Sequence, residues 1–408
     1  MSFLVLLPIM VALVLLQAPA RAEKSHVEVL GSLHQVSFIT ALSFAGAEQR
    51  LEAAGSEGLL WVDANLQARR PGRSPGVVMS LAPHPDLPGV RYAGGYKGKD
   101  KRLGFLLSED GGATWRQRAK GGDQALAFHA LAVAPSAPAT IYGFAKEAGL
   151  RLSHDGGRSW QAGGKLPAEA FDLAVAPNDP KSVYAATRAG LFASPDSGTT
   201  WQRRHPAKAP ATFVNAETGG RLTSFIHRHG LVRSEDGGRT WSDISTAYQD
   251  RALMDLVIDP GNPRRFYAAA DTGGVMISND AGQSWLSIEG WRDQVPERIT
   301  AGRRVFEENC QACHGEKGRG EKPGDIHARD ENGLPVAPPL DDSGHGWHHA
   351  DAQLAQTIRE GSPRNERMIA WKDLLDGEAV RNVVAYVKSL WSFRSLACQG
   401  RRHMRCMH

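Results

Sequence analysis

Ser153-His154-Asp155-Gly156-Gly157-Arg158-Ser159-Trp160 decides the fold of most of this chain, because it recurs. The pattern S-x-D-x-G-x-[ST]-W returns at Ser108–Trp115, Ser194–Trp201, Ser234–Trp241 and Ser278–Trp285. Its aspartates, Asp110, Asp155, Asp196, Asp236 and Asp280, stand 45, 41, 40 and 44 residues apart. A near-constant period of this length marks a repeat architecture. Each copy reads as a hairpin turn. The aspartate accepts backbone N–H bonds across the turn, the glycine supplies a positive φ, and the hydroxyl closes the loop. The tryptophan opens the next strand and lays its ring over the sheet.

The strand before each box starts with glycine and an apolar residue, as in Gly149-Leu150, Gly190-Leu191, Gly230-Leu231, Gly104-Phe105 and Gly274-Val275. Gly58-Leu59 follows the same rule one period earlier without a box, which makes six units with a degenerate first. Two more strands lie upstream in each unit, for example Leu131–Pro135 and Thr140–Tyr142, or Leu173–Pro177 and Ser182–Tyr184. Four short strands in about 40 residues is the size of a propeller blade. The expected fold is an all-β propeller of six blades over residues 23–292. A seventh blade, built from Val27–Leu33 and a closing strand, is the alternative count. The boxes are those of the BNR/sialidase, sortilin and photosystem II assembly-factor propellers, and residues 27–290 resemble that superfamily. Box residues are consumed in holding their turns, so binding is expected at loops around one end of the central channel.

The resemblance raises a glycosyl hydrolase reading. Sialidases carry an Arg-Ile-Pro motif before the first box, an arginine triad and a Tyr–Glu pair. No Arg-Ile-Pro occurs in this chain, and a fold does not carry chemistry with it, so hydrolysis is disfavoured. A second enzymatic reading is a redox enzyme that uses the propeller channel for a substrate or second cofactor. The chain shows neither the Cys-Cys pair nor the Trp-docking pattern of quinoprotein propellers.

After the repeats comes Cys310-Gln311-Ala312-Cys313-His314. C-x-x-C-H is the signature of covalent haem attachment. Two thiols on one helical turn can each form a thioether to a haem vinyl group, and the adjacent histidine then lies under the iron. A zinc half-site would need a second ligand cluster, which Cys398 and Cys406 are poorly placed to supply. A thioredoxin-type motif would need a βαβ context. Gly302 and Phe306 share a helical face before the motif, and Gly302 permits a close helix crossing. The expected partner is Glu378–Leu390, with its stripe of Val380, Val383, Val384 and Val387.

From about Arg298 to Trp391 the chain resembles a class I cytochrome c domain. The matching parts are A-G-x-x-x-F before C-x-x-C-H-G, Pro338-Pro339-Leu340, a Met loop at Arg367–Trp371, and the final V-V-A-Y-V-K-S-L-W helix. The resemblance implies an all-α domain over 293–396 with one covalent haem c. It implies Met368 and His314 as axial iron ligands and a prolyl carbonyl, Pro339, that orients His314. His345, His348 and His349 are the rival ligands, and read from the sequence they are a solvated loop and helix start.

Residues 1–22 read as a secretory signal, with the apolar run Phe3–Leu16 and Ala20-Arg21-Ala22 as a small-x-small cleavage site. An uncleaved N-terminal anchor is the alternative. No later segment is apolar enough to span a bilayer. Export and covalent haem together imply the periplasm. The formal charge of +4 is too mild for a nucleic-acid partner. The linker Gly290–Glu297 is short, so the cytochrome is expected to pack on the last blade. The tail 397–408 is expected to be disordered, although Cys398 and Cys406 could pair in an oxidising compartment, or soft ligands could bind copper. The combined expectation is an electron-transfer protein that uses the propeller to dock a redox protein partner. The sequence leaves the oligomeric state open.

Overall fold

The computed structural model describes residues 27–45, 48–119, 126–363 and 365–406. The segment read as a signal peptide lies outside them. Six antiparallel sheets stand around one axis. Their inner strands are Ile39–Ala45, Val77–Pro83, Phe128–Val133, Ala170–Val175, Ala211–Ala216 and Leu253–Asp259. Each inner strand packs against the next, and the sixth packs against the first. The fold is therefore a six-bladed propeller followed by a small helical region. Glu28–Ser32 does not start a seventh blade. It pairs antiparallel with Gln67–Arg70 on the outer edge of blade 1.

The boxes behave as hydrogen-bond grammar predicts. In blade 5, Ser234 Oγ donates to Asp236 Oδ1 at 2.8 Å and accepts from Gly238 N–H at 2.8 Å. Asp236 accepts from the Thr240 N–H at 2.9 Å and its hydroxyl at 2.7 Å. Gly238 has φ of +83°, which a side chain would oppose. The same bonds recur at Asp110, Asp155, Asp196 and Asp280. Blade 1 lacks the box but keeps its principle, since Asp63 Oδ1 accepts from Asn65 and Gln67 N–H. The N–H and hydroxyl of Thr200, then Ser194, hold Asp196 down to about 2.

Polar side chains stitch the blades together. Arg91 and Glu52, both almost fully buried, form a two-point ion pair between blades 1 and 2 at 2.8 and 2.9 Å. Near the axis, Thr40 donates to Val78 O, Ser80 to Phe128 O and Thr212 to Leu253 O. Asp172 accepts from Val214 N–H at 2.9 Å and Asp255 from Leu42 N–H at 2.6 Å. The last bond joins blade 6 to blade 1.

The tail corrects the expectation of disorder. Phe393–Ala397 is helical and Gly400–Arg405 forms a 3-10 turn. Cys398 and Cys406 are joined in a disulfide with Cα atoms 6.1 Å apart, and both are buried. That pairing removes the cysteines as copper ligands. Arg402 donates to His34 O and Val36 O beside blade 1, and Arg405 donates to Thr272 O in blade 6. A sequence rich in arginine reads as solvated, but here the guanidiniums satisfy backbone carbonyls at a seam.

Burial and the charge of Asp255 push Asp172 up from the usual carboxylate range. The native state therefore holds that proton more tightly than the unfolded chain does. Its contribution to stability is full below pH ~4 and is lost as the pH rises toward 7. Asp172→Asn keeps an acceptor for Val214 N–H and removes the charge. Relative to wild type, the variant is expected to be more stable at pH 8 than at pH 4 by about 1–2 kcal/mol, measured by urea denaturation at both pH values.

Candidate functional site

The C-terminal helices build one crossing and hang a loop system on it. Helix α1 spans Pro296–Asn309, with proline at its first turn. A one-turn helix, α2, spans Gln311–His314. Helix α3 spans Asp351–Glu360 and α4 spans Gly377–Ser389. Asp376 caps α4 by accepting from Glu378 and Ala379 N–H at 3.0 and 2.8 Å. Gly302 lies where α1 crosses α4, and a Cβ there would collide with the Asn382 carbonyl. Phe306 packs on Tyr386, ring centres 5.2 Å apart. The crossing is the one expected from Gly302 and the valine stripe.

The motif sits at the end of α1. Cys310 is half-buried and Cys313 exposed, and both are free thiols. Burial pushes the Cys310 thiol up to about 11, so it is protonated at neutral pH. His314 N–H bonds back to Cys310 O at 2.9 Å, which places both thiols and the imidazole on one turn. His314 Nδ1 lies 3.1 Å from Pro338 O. A carbonyl only accepts, so Nδ1 carries the proton and Nε2 is left as a ligand atom. Burial lowers the His314 pKa and keeps the ring neutral. The orienting carbonyl is thus Pro338, not Pro339. The Pro339 carbonyl faces Gly344 instead, where a Cβ would strike it.

Met368 is half-buried in a tight loop. Its carbonyl accepts from Ser362 N–H and its N–H donates to Asn365 O, both at 3.0 Å. Asn365 Nδ2 donates to Pro335 O at 2.9 Å, and Arg367 pairs with Glu321 at 2.6 Å. Glu321 N–H in turn bonds Ala337 O. The methionine loop is therefore tied to the segment that supplies the Pro338 carbonyl. His345, His348 and His349 turn toward the tail. The His348 ring stacks on His403 at 4.8 Å and lies 3.9 Å from His345. Burial, then the neighbouring imidazoles, pushes His348 down to about 4. Among the described residues no group of three His, Cys, Asp or Glu side chains is arranged to hold a metal ion.

The description "Cytochrome C oxidase, cbb3-type, subunit III" matches residues 297–387. This region is a cytochrome c domain. The domain is 36% identical over 104 residues to cbb3-type cytochrome c oxidase subunit FixP of Bradyrhizobium diazoefficiens, a match covering 26% of this chain and 31% of that one. A stretch of 141 residues is 28% identical to oligoxyloglucan-reducing end-specific xyloglucanase of Emericella nidulans, covering 29% of this chain and 17% of the enzyme. The solved xyloglucanase of Xanthomonas campestris aligns at TM-score 0.47 and 16% identity, over 64% of this chain and 46% of that one. The chain spans well under two thirds of each of these relatives. The free thiols and committed Nδ1 fit the haem that a cytochrome c domain implies.

The cytochrome packs on the last blade, as the short linker implied, but the polar network that holds it there was not legible in the sequence. Lys388 is almost fully buried at the end of α4. Its ammonium donates to Glu289 O after the last blade strand and to both oxygens of Asp351 at 2.9 Å. Gln399 of the tail donates to Asp351 at 2.6 Å, and Asp351 N–H donates to Glu289 at 2.8 Å. The one available signal was Lys388 following Val384 by one turn on an apolar face. Lys388→Met strands the Asp351 carboxylate and is expected to cost about 2–4 kcal/mol, read by urea denaturation of the haem-loaded protein.

Proposed function

We propose that this chain is an exported c-type cytochrome that passes single electrons through one covalent haem and uses its propeller to dock a redox protein partner. The observation that carries this reading is the pair of free thiols beside a histidine whose Nδ1 is committed to Pro338. In this reading Cys310 and Cys313 form the two thioethers. His314, through Nε2, and Met368, through its sulfur, would hold the iron. The haem supplies a reversible one-electron centre whose potential is raised by Met/His ligation. Pro338 fixes the tautomer and plane of the imidazole, which is how an outer-shell acceptor tunes a ligand. The Arg367–Glu321 pair and the Asn365–Pro335 bond hold the methionine loop against the same segment.

The buried disulfide in the tail and the apolar leader support a periplasmic location. Among the described residues no helix is long and apolar enough to cross a membrane. Binding a partner on the propeller would raise its effective concentration at the haem. The Lys388–Asp351–Glu289 junction supports a fixed geometry for that transfer. The xyloglucanase likeness is confined to the propeller, and a shared fold does not carry chemistry.

Carbon monoxide tests the iron ligation. The reduced, haem-loaded wild type is expected to show no spectral change, because His314 and Met368 would both hold the iron. Met368→Ala is expected to bind carbon monoxide and to show a lower potential. Wild type that binds the gas as readily as the variant would sink the ligand assignment and the carrier reading with it.

A further inference from the structure

A cleft of about 260 Å³ opens between blades 2 and 3 at the end of the propeller where the boxes turn. Its polar wall includes His84, Tyr92, Arg118, Asp155 and Arg158, and Leu87 stands at its rim. The acceptors there are already used. Asp155 accepts from the Ser153 hydroxyl, from Arg158 N–H, and from the N–H and hydroxyl of Ser159. Glu109 is paired with Arg116 at 2.8 Å. Gly156 O accepts from Arg118 Nε at 2.6 Å.

The donors are not used. Among the described residues Arg118 commits only its Nε, to the Gly156 carbonyl, and Arg158 one terminal nitrogen, to the Asp155 carbonyl. Neither guanidinium has a carboxylate partner among the described residues. His84 Nδ1 accepts from the N–H groups of Asp86 and Leu87, so its proton resides on Nε2. Burial lowers the His84 pKa and keeps it a neutral donor. The Tyr92 residue is 4% exposed, and its hydroxyl makes no hydrogen bond among the described residues. A Cβ on Gly156 would stand 3.3 Å from an Arg118 terminal nitrogen and 3.8 Å from the Tyr92 hydroxyl, so both groups face one space, which Arg158 also lines.

The next seam shows what a closed version looks like. Tyr142 holds in blade 3 the place that Tyr92 holds in blade 2, and its hydroxyl donates to Pro180 O at 2.7 Å. The prolyl turn residue that corresponds to Pro180 is Pro138, which lines the cleft without receiving the Tyr92 hydroxyl. The Tyr92 hydroxyl therefore opens into the cleft with its donor free for a ligand. Unused donors on two cations, with spent acceptors around them, select an anion. Leu87, Val90 and Leu107 offer an apolar wall beside them.

We propose that this cleft binds a small organic carboxylate, with its oxygens on Arg118, Arg158 and the Tyr92 hydroxyl and its short apolar body against Leu87 and Val90. The site is separate from the haem domain and stands whether or not the docking role holds.

The test is calorimetric titration of the haem-loaded full chain with sodium butyrate, butyramide and sodium phosphate. Butyrate is expected to bind about tenfold or more tightly than the uncharged butyramide and more tightly than phosphate. Arg118→Gln and Arg158→Gln are each expected to weaken butyrate about tenfold. Tyr92→Phe, which keeps the ring stacked on Phe105, is expected to weaken it several-fold. Leu87→Asp at the exposed rim should also weaken it, without touching the fold. The proposal is overturned if butyrate shows no binding up to about 50 mM, or if butyramide or phosphate binds as well. It is equally overturned if the arginine variants keep wild-type affinity.

Discussion

Arg402 lies half-buried at the seam between the last and first blades and donates to the carbonyls of His34 and Val36. Three residues on, Arg405 donates to Thr272 O in blade 6 and lies over the Phe38 ring at 4.9 Å. A ring of blades has to be closed somewhere. Among the described residues no strand from one end of the chain completes a sheet begun at the other, because the first of them, Glu28–Ser32, pairs within its own blade. Closure rests on an apolar seam joining Ile39 and Leu42 to Tyr267, Ala269 and Ile277, on the backbone bond from Ile39 N–H to Gly273 O, on Asp255 at Leu42 N–H, and on the tail. The Cys398–Cys406 disulfide holds the tail in the short loop that presents both arginines. A crosslink of this kind acts mainly by restricting the unfolded chain.

The same residues fix the cytochrome. The tail follows α4 directly, and Phe393, Leu396 and Ala397 share one apolar cluster with Tyr248 and Trp285 of the propeller and with Val383 and Val387 of α4. Thr272 donates to Ala397 O at 2.8 Å. Gln399 joins the tail to the Lys388–Asp351–Glu289 network. Ring closure and domain orientation are therefore one set of contacts. A haem on this domain would keep a single position relative to the propeller, as the proposed docking role requires.

What the sequence made legible was short-range. The box needs only Ser234, Asp236, Gly238 and Thr240 to specify its turn, and such a turn can be read residue by residue. C-x-x-C-H and the Gly302–Phe306 face are equally local, as is the α1–α4 crossing they imply. Two adjacent prolines defeated the same method. Whether Pro338 or Pro339 presents its carbonyl depends on backbone torsions set by Gly320, Gly344 and the Leu340 N–H bond to Gly318 O. The tail was misread because its order comes from partners such as Val36 and Thr272, more than a hundred residues away in the chain. Lys388 was passed over for the same reason, as Glu289 and Asp351 reach it from separate elements.

Amide hydrogen exchange in the oxidised wild type and in a Cys398→Ser/Cys406→Ser variant tests this account most directly. If the disulfide loop closes the ring, the Ile39 and Leu42 amides should exchange about tenfold or more faster in the variant. The paired amides of Val183–Thr187 and Gly190–Ser194 in blade 4 should keep their wild-type rates. Unchanged exchange at Ile39 and Leu42, or an equal rise in every blade, would contradict the claim that the tail closes the propeller.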